Sequence, residues 1–131
     1  MTDLQALHDA THTMVMGVLN ITEDSFSDGG LWLDPAKAAQ HGRDMMAAGA
    51  DIIDIGAEST RPGAKRVSEA DELARITGAV KTLIPAGAVL SIDTTRASVA
   101  AAALSEGAQI INDVSGGTLD AELPHVVADH D

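Results

Sequence analysis

Short apolar runs alternate with polar loops and longer amphipathic stretches along the chain. The first run is MVMGVLN, residues 14–20, and the polar loop ITEDSFSDGG follows it. An apolar run this short, closed by turn residues, predicts a buried strand. Asp34-Pro35 sets an N-cap before a proline at the first helical position. It predicts a helix over 35–48 that Gly49 closes. ADIIDIG, residues 50–56, predicts a second strand, and the polar loop AESTRPGAKRV comes after it. Ser68 with Asp71 three residues on forms a capping pair for a helix over 69–84, which Pro85 stops. AVLSID, residues 88–93, is a third strand, and TTRASVAAAALSEG a third helix ending at Gly107. AQIINDV, residues 108–114, is a fourth strand, and Asp120 caps a last helix with Pro124 in its first turn. The first dozen residues predict a short helical lead-in.

Strand, loop and helix therefore recur four times. Alternation of this kind means parallel strands joined by right-handed crossovers. An internal echo supports it: Gly49-Ala50-Asp51-Ile52-Ile53-Asp54 matches Gly107-Ala108-Gln109-Ile110-Ile111-Asn112 at an offset of 58 residues. No linker divides the chain, so residues 1–131 are expected to form one domain. Two architectures accommodate the pattern, a small open doubly wound sheet and part of a (β/α)8 barrel. Asn20, Glu58, Asp93 and Asn112 stand at or just past the C-terminal ends of four different strands. A barrel gathers such residues around one mouth. The favoured fold is α/β, of the (β/α)8 TIM barrel type, with the first four units present as a half-barrel.

Composition narrows the chemistry. Eight basic against twenty acidic residues give a net charge of −12, which excludes the basic footprint of a nucleic-acid or membrane-surface binder. Hydrophobic residues make up 45%, so this is no disordered acidic tail. There is no cysteine, hence no disulfide, thiolate metal site or cysteine nucleophile. With one Phe, one Trp and no Tyr, the core must be built from Ala, Val, Ile and Leu. The N-terminal residues show no basic segment ahead of an apolar one, and no run approaches the roughly 20 apolar residues of a membrane span. The expected location is the cytoplasm.

The loops hold the candidate functional groups. Phe26 sits between two serines in the first loop, where it serves either as a lid over a flat ligand or as an anchor of the loop. Asn20, Asp24 and Asp28 offer oxygens of the kind Mg²⁺ prefers, and equally the turn propensity of their type. Arg61, Lys65 and Arg66 cluster within six positions, as an anion site or a solvated charge run. Asp93 either pairs with an amidine-like heterocycle or caps the helix that follows. Asn112 either meets a heterocycle edge or serves as a buried structural amide. Asp54, inside the second strand, needs a partner, for which Arg96 is the candidate. The five histidines show no metal-ligand spacing and read as surface residues.

The run Val15-Met16-Gly17-Val18-Leu19-Asn20-Ile21-Thr22-Glu23-Asp24-Ser25-Phe26-Ser27-Asp28-Gly29-Gly30 resembles the first signature of the dihydropteroate synthases. Asp51-Ile52-Ile53-Asp54-Ile55-Gly56-Ala57-Glu58-Ser59-Thr60-Arg61-Pro62-Gly63 resembles their second. Ser91-Ile92-Asp93-Thr94 and Ile111-Asn112-Asp113-Val114-Ser115-Gly116-Gly117 are similar to the ends of their third and fourth strands.

That family joins 6-hydroxymethyl-7,8-dihydropterin diphosphate to 4-aminobenzoate, giving 7,8-dihydropteroate and diphosphate in folate synthesis. The resemblance implies that Asp93 and Asn112 grip the pterin and that Asn20 holds Mg²⁺ on the diphosphate. It places Thr60 and Arg61 in the second loop, sets Phe26 and Pro62 beside the aminobenzoate, and brings Asp28 to the metal region and the attacking amine. It implies small-molecule substrates, no nucleic acid or membrane partner, and a homodimer. Two departures stand out. Ala57 replaces the usual glycine, and the family's barrel has eight strands where this chain supplies four. The later strands carry a pterin-binding aspartate, a lysine and an arginine-histidine pair, so the chain is expected to be an N-terminal half, inactive alone. The competing expectations are a non-catalytic half-barrel that binds a ligand or partner and a methyltetrahydrofolate-dependent methyltransferase. Phe26 within the run from Asp24 to Asp28 and Thr60-Arg61-Pro62 favour the synthase over the methyltransferase. The missing anion-binding residues speak for the non-catalytic half-barrel, and the intact lid motif speaks against it.

Overall fold

The computed structural model describes residues 4–22, 34–58 and 66–130. Strands β1 (Met16–Asn20), β2 (Ile52–Gly56), β3 (Leu90–Asp93) and β4 (Ile110–Asn112) form a single parallel sheet in the order β1-β2-β3-β4. Helices α1 (Leu4–His8), α2 (Pro35–Ala47), α3 (Glu69–Leu83), α4 (Ala97–Ser105) and α5 (Leu123–Asp129) complete the chain. The strand order decides between the two architectures. A doubly wound open sheet reverses direction at a switch point. Right-handed crossovers that always step the same way keep their helices on one face, as a barrel requires. The sheet is the first half of such a barrel.

The starts of α2 and α3 and the ends of α2 and α4 follow the expected caps, whereas Asp120 does not cap the last helix: the N-cap position of α5 is Glu122, and the Asp120 carboxylate turns to the start of α4. The Asp34 carboxylate accepts from the Ala36 N–H at 2.9 Å, and the Ser68 hydroxyl accepts from the Asp71 N–H at 3.2 Å. Gly49 and Gly107 adopt φ of 113° and 114°, the left-handed turn that ends α2 and α4. Behind them the Ala50 N–H reaches the Met45 carbonyl and the Ala108 N–H the Ala103 carbonyl, both at 3.0 Å. These bonds explain why β2 and β4 start two residues later than expected: Ala50 and Ala108 belong to the helix stops. Ala88 likewise closes back on Leu83, so β3 starts at Leu90. β4 ends at Asn112 because Asp113 folds a turn, its carboxylate accepting from the Ser115 and Gly117 N–H groups at 2.8 and 2.9 Å.

Leu19, Ile53, Ile55, Leu90 and Ile92 face the helices and pack against Ile76, Val80 and Leu83 of α3 and small residues of α2 and α4. Close approach depends on missing side chains. A Cβ on Gly42 would stand 2.9 Å from both Leu83 methyl carbons, and one on Gly17 would stand 2.8 Å from Met45 Sδ. Ala57 is buried in the same cluster, so its methyl is accommodated in the core. The opposite face of the sheet carries Met16, Val18 and Asn20 of β1, Asp54 and Gly56 of β2, and Ser91 and Asp93 of β3. Among the described residues no helix is long and apolar enough to cross a membrane.

Candidate functional site

Register places three of the expected site residues, Asn20, Asp93 and Asn112, in a single row. Asn20 pairs with Gly56, Gly56 with Asp93, and Asp93 with Asn112. All four lie on the inner face at the C-terminal ends of their strands, because side chains two apart share a face and each strand stops at this level. Gly56 is the member that sequence reasoning did not single out. A Cβ there would meet Asn20 Oδ1 at 3.1 Å and Asp93 Oδ2 at 3.4 Å, so the glycine opens a notch between the two polar side chains.

The row below consists of Val18, Asp54, Ser91 and Ile110. Asp54 is buried, and its expected partner is corrected. Arg96 does not reach it; the Asn112 Nδ2 donates to both of its carboxylate oxygens at 3.4 Å. The contact crosses the inner face of β3 and closes over Ser91, which has no exposed surface. The Ser91 hydroxyl has no hydrogen-bond partner among the described residues.

Asp93 is half-buried, and its carboxyl titrates above the ordinary aspartate range. Desolvation is the main cause, reinforced by the negative charges of Asp54, Glu72, Glu58 and Asp113. The alternative role as helix cap is set aside. The cap position of α4 is Arg96, and the Asp120 Oδ2 accepts from the Ala97 N–H at 2.8 Å. Asp120 also accepts from the Glu122 N–H at 3.1 Å, and these two backbone bonds hold its carboxyl below the ordinary range.

Arg96 turns to Glu72, bonding its carboxylate at 2.6 Å. Arg66 bonds Thr95 Oγ1 at 2.7 Å and Glu58 at 3.4 Å, so it faces protein groups and is not presented as a free anion ligand. Asp24, Phe26, Asp28, Thr60, Arg61, Pro62 and Lys65 lie outside the described residues. Four of the histidines are exposed and His41 is half-buried. Among the described residues, no three His, Cys, Asp or Glu side chains gather as a metal site. Sequence reasoning also passed over Glu72 and Arg75. The signal was there, since Glu72 is in helical phase with the buried Ile76, Ala79, Val80 and Leu83.

A parallel half-barrel with a polar row across its strand ends has the geometry on which barrel enzymes build a ligand-binding mouth. The chain belongs to the pterin binding enzyme family, whose model matches residues 16–131. It is 57% identical over 115 residues to the dihydropteroate synthase of Mycobacterium leprae (strain TN), covering 88% of this chain and 40% of that protein. The fold is similar to that of dihydropteroate synthase from Clostridium difficile, solved in the presence of pteroic acid. That match has TM-score 0.83 and 44% identity over 92% of this chain and 46% of the other. It is also similar to the Xanthomonas albilineans dihydropteroate synthase solved with 4-aminobenzoic acid, with TM-score 0.81 and 40% identity, covering 92% and 44%. The chain thus spans under half the length of the proteins it matches.

Proposed function

We propose that the protein containing this chain is a dihydropteroate synthase. It joins 6-hydroxymethyl-7,8-dihydropterin diphosphate to 4-aminobenzoate. The amine nitrogen attacks the pterin methylene carbon, the carbon–oxygen bond to diphosphate breaks with its electron pair leaving on oxygen, and the amine loses a proton. The observation that carries this reading is the row of Asn20, Gly56, Asp93 and Asn112. Asp93 can accept paired N–H bonds from a pterin edge, and Asn112 offers one donor and one acceptor group beside it. Because other carboxylates crowd Asp93, a ligand that brings N–H donors relieves an existing electrostatic cost. A side chain at Gly56 would crowd the polar atoms of Asn20 and Asp93, so the glycine leaves both of them free to meet a ligand. The pteroic acid and 4-aminobenzoic acid with which the similar proteins were solved support the same reading.

The proposed metal is Mg²⁺, and the donor set fits it. This ion keeps most of its waters and takes one or two protein oxygens besides substrate phosphates. Asn20 Oδ1 borders the notch and would supply such an oxygen. When bound, the ion would neutralise charge on the departing diphosphate. Asp28 is assigned to the metal region and the attacking amine, Thr60 and Arg61 to substrate binding from the second loop, and Phe26 and Pro62 to the aminobenzoate, on the family resemblance alone. A homodimer is the proposed assembly, supported by the exposed apolar side chains Val114, Leu119 and Val127.

The test is a diphosphate-release assay on the protein at its natural length. Release should require both the pterin diphosphate and 4-aminobenzoate. No release, or methyl transfer from a methylated folate instead, would reject the synthase reading.

A further inference from the structure

The three strands that present Asn20, Gly56 and Asp93 are tied together just beyond the row by side chains of α3. Glu72 and Arg75 stand three residues apart, on one face of the helix. Arg75 Nη1 donates to the Ile21 carbonyl at 3.3 Å and to the Ala57 carbonyl at 3.2 Å. These are the residues that directly follow Asn20 and Gly56. Glu72 is 3% exposed and accepts from Thr94 Oγ1 and Arg96 Nη1, each at 2.6 Å. Thr94 directly follows Asp93. Arg96 Nη2 in turn donates to the Val67 carbonyl at 2.8 Å, and the Arg96 N–H donates to Thr94 Oγ1 at 3.1 Å.

Ladder hydrogen bonds run out at a strand's end, so nothing regular holds the next carbonyl in place. Here a single guanidinium bridges two such carbonyls on neighbouring strands, and a buried carboxylate holds the third strand's exit. A planar, pre-organised fork suits the first task better than a flexible ammonium. The second group is a desolvated acceptor whose partners are charge-assisted and short, which makes it stiff.

We propose that Arg75 and Glu72 are positioning residues of the synthase site: they fix the spacing and height of Asn20, Gly56 and Asp93. The role in binding rests on the reading of that row as the pterin diphosphate site. Misplacement of a binding group by about 1 Å can cost on the order of 100-fold in rate, so a loosened clasp matters although its bonds are to the residues just beyond the row.

The experiment uses Arg75→Gln, Arg75→Lys and Glu72→Gln in the protein at its natural length, at a temperature where circular dichroism shows each fully folded. Two readouts are taken. The first is the set of amide resonances of Asn20, Gly56 and Asp93 without ligand. The second is the affinity for pterin diphosphate, with kcat and KM. The resonances should move while those of Gly49 and Ala103 stay. The affinity should fall at least about tenfold in Arg75→Gln, and Arg75→Lys should recover part of it. Unmoved resonances with wild-type affinity and KM, alongside a lowered melting temperature, would make the clasp merely structural and overturn the proposal. If the Arg75 and Glu72 variants do not fold, the isosteric Thr94→Val removes only the hydroxyl link and should shift the Asp93 resonance, with Thr94→Ser restoring it. An unmoved Asp93 resonance in Thr94→Val overturns the proposal too. Wild-type protein that fails to bind pterin diphosphate rejects the synthase reading instead, and the resonances then decide the clasp by themselves.

Discussion

Asp93→Asn should move stability and ligand affinity in opposite directions. The substitution keeps shape and removes one negative charge from a half-buried position that already faces Asp54, Glu72, Glu58 and Asp113. Because the folded carboxyl titrates above its unfolded value, its cost to the fold is absent below the unfolded value, where both states are protonated. The cost grows as pH rises from the unfolded value to the folded one and is complete above it. The melting temperature of the variant should therefore match that of the native protein at the acid end and exceed it increasingly toward neutral pH. Binding runs the other way. A hydrogen bond to a charged group contributes about 1.5–3 kcal/mol, or roughly 10- to 150-fold in affinity. The side chain keeps part of its surface, which favours the lower half of that range. Thermal melts from about pH 4 to about pH 8, with calorimetry of pterin diphosphate binding to the protein at its natural length, test both signs. A variant less stable than the native protein at neutral pH would show that the carboxylate holds the fold. Unchanged affinity would remove Asp93 from the pterin contact.

Gly56→Ala should weaken pterin diphosphate binding by roughly tenfold and lower stability by about 1–3 kcal/mol. The added methyl meets two half-buried side chains at 3.1 and 3.4 Å, and a titration together with a melt separates the two effects. Asp120→Asn should lower the melting temperature at neutral pH, with the difference shrinking as pH falls. The lowered carboxyl favours the folded state above its unfolded value and loses that advantage as pH drops through the folded one; a pH-independent difference would count against the double backbone cap. The isolated 131-residue chain should self-associate and release no diphosphate. Val15, Met16 and Val18 are exposed at 51%, 44% and 56% beside the outer edge of β1. A monomer by light scattering would reject the first half of that expectation, and turnover would reject the second.

What could be read from the chain was whatever depends on local chemistry. Asp34, Ser68, Gly49 and Gly107 announce helix boundaries because caps are satisfied within a few residues. Asn20, Asp93 and Asn112 announced the polar row because polar residues that end apolar strands have few other reasons to be there. What failed depended on distant pairings. Arg96 was matched with Asp54, a buried carboxylate in a strand, when Glu72 on α3 lies 2.6 Å away. Nothing local reveals that a glutamate in helical phase with the core will meet the exit of the next strand. Gly56 was equally silent, because its importance lies in the side chain it lacks, and that emerges only when Asn20 and Asp93 flank it.

The internal echo measures how the sheet is coiling. Gly49 and Gly107 occupy the same place in their units, with the same left-handed turn and matching bonds behind them, so Asp54 and Asn112 are counterparts at an offset of 58 residues. Across the sheet, however, Asp54 is level with Ser91 and Ile110, an offset of 56 residues. Between β2 and β4 the register has therefore slipped by about two residues over two strands, which extrapolates to about eight over eight strands, the shear of a closed (β/α)8 barrel. The slip has a chemical consequence. It lifts Asn112 one inward-facing step above its counterpart, from the level of Asp54 to that of Gly56 and Asp93. From there its amide reaches down to Asp54 across β3 while standing beside Asp93 in the row. The same stagger that closes a barrel thus turns two equivalent positions of a repeat into a buried carboxylate and the amide that holds it.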